Sequence, residues 1–296
     1  MNKSDTSTPA GTATPKTQTP HTVSRRNWLA AGIASAGAAG LVTTGTNAAS
    51  STKALPLTAQ ATEGPYYFDA AKVRADITEG LPGVPLEVRF AVMDTSGAPL
   101  PGLRVDIWHC NAAGLYSGYA GQGDNRRTST VGTTYLRGTL LADAGGITAF
   151  RTVYPGWYEG RTTHIHFKVI SGTRTVLTSQ FFLPDALSEF LYTSLPDYKR
   201  AQLRQTLNRN DGIALMAGTT VLGSVREEAD RYVAALNLVV DPLANSGAAQ
   251  AMPGERRGPP PGAPPAGMGG PGSQGNGKPL DAAARLSALV PGKSKS

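Results

Sequence analysis

The segment Tyr154-Pro-Gly-Trp-Tyr158-Glu-Gly-Arg161-Thr-Thr-His164-Ile-His166 brings two phenols, a guanidinium and two imidazoles into thirteen residues, and Phe-Lys-Val-Ile follows it. The end of this run reads as a strand. Side chains two apart in a strand share a face, so His164 and His166 project together. The chain has four histidines, and His21 lies in what reads as an export leader. Neutral imidazole suits first-row transition ions, whereas phenolate is a hard anionic donor suited to a trivalent cation. His-x-His alone is as compatible with a structural pair as with a metal site. Two features favour the metal: the loop tyrosines Tyr154 and Tyr158, and a second loop with Tyr116 and Tyr119 that follows Trp108-His109.

The remaining composition narrows the donor chemistry. A single cysteine, Cys110, excludes an intrachain disulfide and any Cys-rich zinc or iron–sulfur site, so a metal must be held by N and O ligands. Cys110 itself reads as a small buried hydrophobe. The net charge of +7 belongs to the two ends of the chain, while residues 49–244 are balanced. A basic nucleic-acid surface on the folded part is therefore not expected.

Three regions are expected along the chain. Residues 1–48 hold a Thr/Pro/Lys-rich stretch without periodicity, then Ser24-Arg-Arg-Asn-Trp-Leu29 and a small-residue apolar run from Ala30 to about Val42. This layout resembles a twin-arginine export signal with a long n-region. It predicts handling by the twin-arginine export machinery, a mature chain starting near Ala49, a periplasmic or extracellular location, and no stable membrane span after processing. Residues 49–245 read as one all-β domain. Residues 246–296 are Gly/Pro/Ala-rich and read as a disordered tail, within which Leu280–Leu289 has the pattern of a short amphipathic helix.

Within the domain, Leu86–Met93 alternates. So does Leu103–His109, with Leu103, Val105, Ile107 and His109 on one face. Tyr135–Leu141 and Ile147–Val153 flank Asp143-Ala-Gly-Gly146, a hairpin signal. His164–Ile170 and Thr175–Phe182 form a second pair around Ser171-Gly172, and Arg231–Val240 reads as the last strand. Helix is scarce, with Tyr198–Leu207 the best candidate. Short strands joined by Gly/Pro turns predict an antiparallel β-sandwich core with short helices and long loops.

The runs Asp106-Ile-Trp-His-Cys-Asn-Ala-Ala-Gly-Leu-Tyr-Ser117, Tyr135-Leu-Arg-Gly, Phe150-Arg-Thr-Val-Tyr-Pro-Gly-Trp-Tyr158 and Arg161-Thr-Thr-His-Ile-His-Phe167 together resemble the intradiol ring-cleavage dioxygenases. The likeness extends over roughly residues 56–185. It implies a β-sandwich holding mononuclear non-haem Fe(III) with two Tyr and two His ligands. The large N-terminal helical dimerisation segment of the catechol dioxygenases is missing, as in the compact, secreted single-domain branch, and a homo-oligomer is left open. Carried over residue by residue, the ligands implied are Tyr116, His164, His166 and the tyrosine three after Pro155, namely Tyr158, with Tyr154 as runner-up. Arg161 matches an arginine that stabilises negative charge on the ring, and Gln180 a glutamine near substrate and oxygen. Glu63-Gly-Pro-Tyr-Tyr67 resembles the pocket segment, where Pro65, Tyr66 or Tyr67 could wall the ring. The implied reaction opens a catechol with O2 between its two hydroxyl-bearing carbons to give a muconate-type diacid. His109 reads as a core or supporting histidine rather than a ligand. The competing expectation is an exported glycan- or cell-wall-binding sandwich whose tyrosines form a stacking platform; a zinc hydrolase is disfavoured by the phenols.

Overall fold

A computed structural model describes residues 53–246 and 280–290. Two four-stranded sheets face each other. One has the order β4-β1-β8-β7, built from β1 (Pro85–Met93), β4 (Ile147–Val153), β7 (Ser224–Glu227) and β8 (Tyr232–Val239). The other has the order β3-β2-β5-β6, built from β2 (Arg104–Trp108), β3 (Arg137–Leu141), β5 (His164–Ser171) and β6 (Arg174–Phe182). Alternation dictates what meets between them: Leu86, Val88, Phe90 and Val92 of β1 are buried in turn. Phe90 packs against Phe167 of the opposing sheet with ring centroids 5.0 Å apart. The expected β-sandwich is therefore the fold, and Val105 and Ile107 join its core as their spacing predicts.

Three expectations need correction. Asp143–Gly146 is a corner between sheets, not a hairpin, because β3 pairs with β2 and β4 pairs with β1. The turn chemistry itself is present, since Asp143 Oδ1 accepts from Gly145 N and Ile147 N. Such a local signal specifies the bend and not the partner of each arm. The sandwich is also not wholly antiparallel: β8 runs parallel to β1. The connection between them, residues 94–231, passes through the other sheet and is ample for the crossover that a parallel pair requires.

The third correction concerns helix. The long helix of the domain is α1 (Asp185–Ser194), which follows Pro184, and not Tyr198–Leu207. Pro before the first helical turn is favourable because its missing N–H would have had no partner there. Residues 199–207 instead form an irregular strap that contacts the start of α1. Arg204 is drawn inward to Asp185 at 2.8 Å, and the Tyr198 hydroxyl donates to Tyr154 O at 2.8 Å. These buried bonds override the local helical pattern. A short helix, α2 (Gly212–Ala217), follows the strap.

In the tail expected to be disordered, residues 282–289 form α3 (Ala282–Leu289), in agreement with the amphipathic pattern. Arg285 docks it by pairing with Glu189 of α1 at 2.6 Å and donating to Arg204 O. The export signal and the rest of the tail lie outside the described residues. Among the described residues no helix is long and apolar enough to cross a membrane.

Candidate metal centre

β5 is buried on both faces, which is why its residues do not alternate between wet and dry. Ile165, Phe167 and Val169 enter the core between the sheets. His164, His166 and Lys168 lie on the opposite face, which the segment before β1 covers. On that face the His166 ring stacks on its β2 neighbour Trp108, at 4.9 Å and 12°. Gly64 of the covering segment, at φ +70°, lies so close that an added Cβ would sit 3.3 Å from His166 Cε1.

Two loops bring tyrosines to the same place. In the first, Asn111 Oδ1 accepts from Ala113 N and Leu115 N and turns the chain. Gln122 then locks the Tyr116 backbone, its Oε1 accepting from Tyr116 N at 2.7 Å, and Thr130 Oγ1 donates to Tyr116 O at 2.6 Å. In the second, Gly156 N donates to Asn111 O at 3.0 Å, joining the turn after β4 to the first loop. That close approach requires glycine, since a Cβ there would meet Ala112 O at 2.1 Å.

The donor atoms converge. Tyr158 Oη lies 3.1 Å from His164 Nε2, Tyr116 Oη lies 3.3 Å from it, and the two Oη atoms are 3.5 Å apart. His164 Nε2 and His166 Nε2 are 3.1 Å apart. Donors bound at about 2 Å to one first-row ion are about 3 Å from each other, so this set fits a metal ion. The tautomer fits as well. His164 Nδ1–H donates to Thr162 O at 2.7 Å, which leaves its Nε2 lone pair directed at the other donors. Among the described residues no group of three or more His, Cys, Asp and Glu could hold a metal; half of this donor set is phenolic.

Burial keeps the cluster neutral on its own. It depresses His164 to about 3, with Arg161 adding to the effect, and holds His166 well below the usual imidazole value, helped by His164. It raises Tyr158 to about 12 and, together with Tyr158, raises Tyr116 well above the usual phenol value. A bound cation reverses that preference for the phenols and favours the imidazole lone pairs. Of the four, Tyr158 alone is partly exposed.

The surrounding residues sort clearly. Arg161 is buried and its Nε donates to Asp211 Oδ2 at 2.9 Å. Its Nη2 donates to Gln180 Oε1, and Gln180 Nε2 donates to Thr62 O at 2.8 Å. Gln180 is also the cross-strand partner of His166, so the two expected polar residues stand together beside the cluster. Asp211 was not anticipated. It caps α2 by accepting from Ile213 N and Ala214 N with Oδ1, while Oδ2 takes Arg161 and Thr162 N. Burial pushes its carboxyl up, but Arg161 and the Thr162 N–H offset this and hold it below the usual carboxylate range. The pattern Asn210-Asp211-Gly212 before an apolar run is an N-cap signal that could have located it.

Tyr154 is excluded from the cluster: its hydroxyl meets Ser188 Oγ of α1 at 2.8 Å. Tyr67 also lies apart. Its hydroxyl donates to Asp106 Oδ2 at 2.9 Å, and the Lys168 ammonium sits 3.8 Å above its ring. Of the two neighbouring tyrosines that could wall the ring, it is Tyr66 that stacks on Tyr116, at 4.4 Å and 13°. Pro65 is half-buried in the turn that leads to it. Period-two reasoning cannot separate Tyr66 from Tyr67 in a segment that is not a strand.

His109 is structural. Its Nδ1–H donates to Cys110 O at 2.8 Å, and its Nε2 accepts from Thr152 Oγ1 at 2.7 Å. Burial depresses it to about 4. A depressed histidine contributes stability above its unfolded value of about 6.5, and that contribution is lost as pH falls toward the folded value, at up to about 1.4 kcal/mol per unit. Urea unfolding from pH 7 to 4.5 is expected to show wild-type stability falling more steeply than that of His109→Gln. Parallel slopes would contradict the neutral, buried assignment.

The chain is also similar to known proteins. Residues 62–210 match a family model described as Dioxygenase. A chlorocatechol 1,2-dioxygenase of Pseudomonas sp. (strain P51) is 32% identical over 143 residues, 41% of this chain and 54% of that protein. A catechol 1,2-dioxygenase of Pseudomonas sp. (strain EST1001) is 30% identical over 161 residues, 46% of this chain and 51% of that protein. The chain thus spans about half the length of these curated relatives. Among solved structures, an intradiol ring-cleavage dioxygenase from Tetranychus urticae superposes with a TM-score of 0.59 at 27% identity, covering 64% of this chain and 97% of that one.

Proposed function

This chain belongs to the intradiol ring-cleavage dioxygenases, an iron-dependent family, and from that premise we propose that it opens catechol-type rings with O2 between the two hydroxyl-bearing carbons. The product is a muconate-type diacid that retains both oxygen atoms. The observation that carries the proposal is the convergence of two phenols and two imidazoles, 3.1 to 3.5 Å between neighbouring donor atoms. Tyr116, Tyr158, His164 and His166 would hold a mononuclear non-haem Fe(III). When bound, that ion supplies Lewis-acid activation of the substrate and a template for it.

The chain's own residues do the rest. Tyr158, the partly exposed phenol, accepts a proton from the incoming catechol and is the local base. Tyr116 is locked by Gln122 and Thr130 and stays in place. Arg161 presents a fixed positive charge in a water-poor site, where it stabilises negative charge on the ring far better than it would in water. Gln180 and Asp211 aim that guanidinium.

A glycan-stacking platform needs exposed ring faces. Tyr66 and Tyr116 are instead buried against each other, which favours catalysis over that alternative. The test is to load the protein with ferric ion and measure oxygen uptake with catechol. The expected result is a burgundy protein that consumes one O2 per diacid formed. A colourless protein, or one that turns over without oxygen, would overturn the proposal. We further propose export by the twin-arginine route to the periplasm or beyond, supported by Ser24-Arg25-Arg26 and the short apolar run after it.

A further inference from the structure

Arg200 stands outside the donor cluster, yet it touches both loops that carry the tyrosines. Its Nη1 donates to the carbonyl of Trp157, the residue before Tyr158, at 2.5 Å. Its guanidinium lies over the Trp157 ring, 4.3 Å from the centroid. Its Nη2 pairs with Asp124 of the Tyr116 loop. The two loops already meet backbone to backbone under this side chain. A Cβ on Gly114 would lie 2.2 Å from Trp157 O and 3.3 Å from Arg200 Nη1.

The segment that carries Arg200 is anchored along its length. Arg204 reaches Asp185, Asn208 Nδ2 donates to Leu183 O, and Asp211 holds Arg161. From the outside, Arg285 of α3 donates to Arg204 O. The strap therefore contacts the Tyr116 loop, the Tyr158 loop and, through Arg204, the residues that lead into His164.

We propose that Arg200 is a positioning residue, a clamp that holds the Tyr116 and Tyr158 loops at one spacing and so governs how firmly the phenol pair retains its metal. Guanidinium suits this task because its planar fork serves a carbonyl and a carboxylate at once, while its face stacks on an indole. Lysine keeps the charge but has no such fork. The inference rests on the iron-binding reading for its consequence, although not for the clamp itself.

The experiment uses the full chain with Arg200→Ala, Arg200→Lys and Asp124→Asn, and with Lys199→Ala as a neighbouring control. In metal-free protein, amide hydrogen exchange of peptides covering 111–124 and 155–161 is expected to rise in both loops together. The expected rise is roughly tenfold for Arg200→Ala, the scale of losing a charge-assisted hydrogen bond. Asp124→Asn is expected to loosen the Tyr158 loop as well as its own, which a purely local role would not do. In ferric-loaded protein, release to a chelator is expected to be roughly tenfold faster for Arg200→Ala, as for loss of other outer supports of a metal site. Arg200→Lys and Asp124→Asn carry the test if Arg200→Ala does not fold. Unchanged exchange in either loop, or a rise equalled by Lys199→Ala, would overturn the clamp. If wild type takes up no ferric ion, the functional reading fails while the exchange result still decides the clamp.

Discussion

Ferric-loaded Tyr116→Phe protein is expected to lose Tyr116's share of the visible charge-transfer band, Tyr158 keeping the rest, and to open catechol at least about 100-fold more slowly than wild type. That is the upper end of what loss of an outer support costs at a metal site, and the residue changed here is itself a proposed donor. The substitution removes one oxygen and little else. The Tyr116 ring is 1% exposed and stacked on Tyr66, and its backbone is held by Gln122 and Thr130. Phenylalanine therefore fits the same slot, and the midpoint of thermal unfolding should move little. Tyr154→Phe is the matched control. It loses a hydrogen bond to Ser188 and should keep both colour and rate. If the band of Tyr116→Phe were unchanged from wild type in intensity and position, or that of Tyr154→Phe were altered, the donor assignment would be wrong.

Arg161→Ala carries the second large effect, on stability and rate together. Removing the guanidinium leaves the Asp211 carboxylate, 1% exposed, without its charge partner. Breaking a buried pair from one side typically costs about 3–5 kcal/mol. Here Thr162 N and the first turn of α2 still donate to Asp211, so a loss of about 3 kcal/mol is expected in urea unfolding. Ring cleavage should fall by at least about 100-fold, the scale of removing one preorganised charge-stabilising group. The double variant Arg161→Ala/Asp211→Asn separates the two effects. It should regain part of the stability, because the buried carboxylate is gone, and none of the rate. Recovery of the rate would mean that Arg161 acts only through the fold.

Much of this was legible because the relevant signals are local. Period-two alternation in Leu86–Met93 and His164–Ile170 follows from backbone geometry alone, so the strands and the shared face of His164 and His166 were readable directly. The twelve residues Asp106–Ser117, with the family likeness beside them, led to Tyr116. The fork at Tyr154 and Tyr158 was left open by residue type, since both flank the same Pro-Gly turn. The structure separates them: Tyr154 is committed to Ser188 of α1, while Tyr158 lies beyond the turn that Gly156 pins to Asn111.

What stayed hidden depended on partners distant in the chain. Nothing local in Asp143–Gly146 says that its two arms belong to different sheets. The helical pattern at Tyr198–Leu207 could not reveal that Arg204 finds Asp185 or that Tyr198 bonds to Tyr154 O. Asp211 lies fifty residues after the arginine it holds. By itself, then, the sequence determined the donor types, the His pair's common face and a β-rich framework, because these follow from side-chain chemistry and strand periodicity. Tertiary structure alone decided that Tyr66 rather than Tyr67 lies against Tyr116 and which carboxylate holds Arg161, and it shows Tyr158, the tyrosine the family likeness implied, beside the histidines. Each of those outcomes is set by packing between segments that alternation and spacing do not relate.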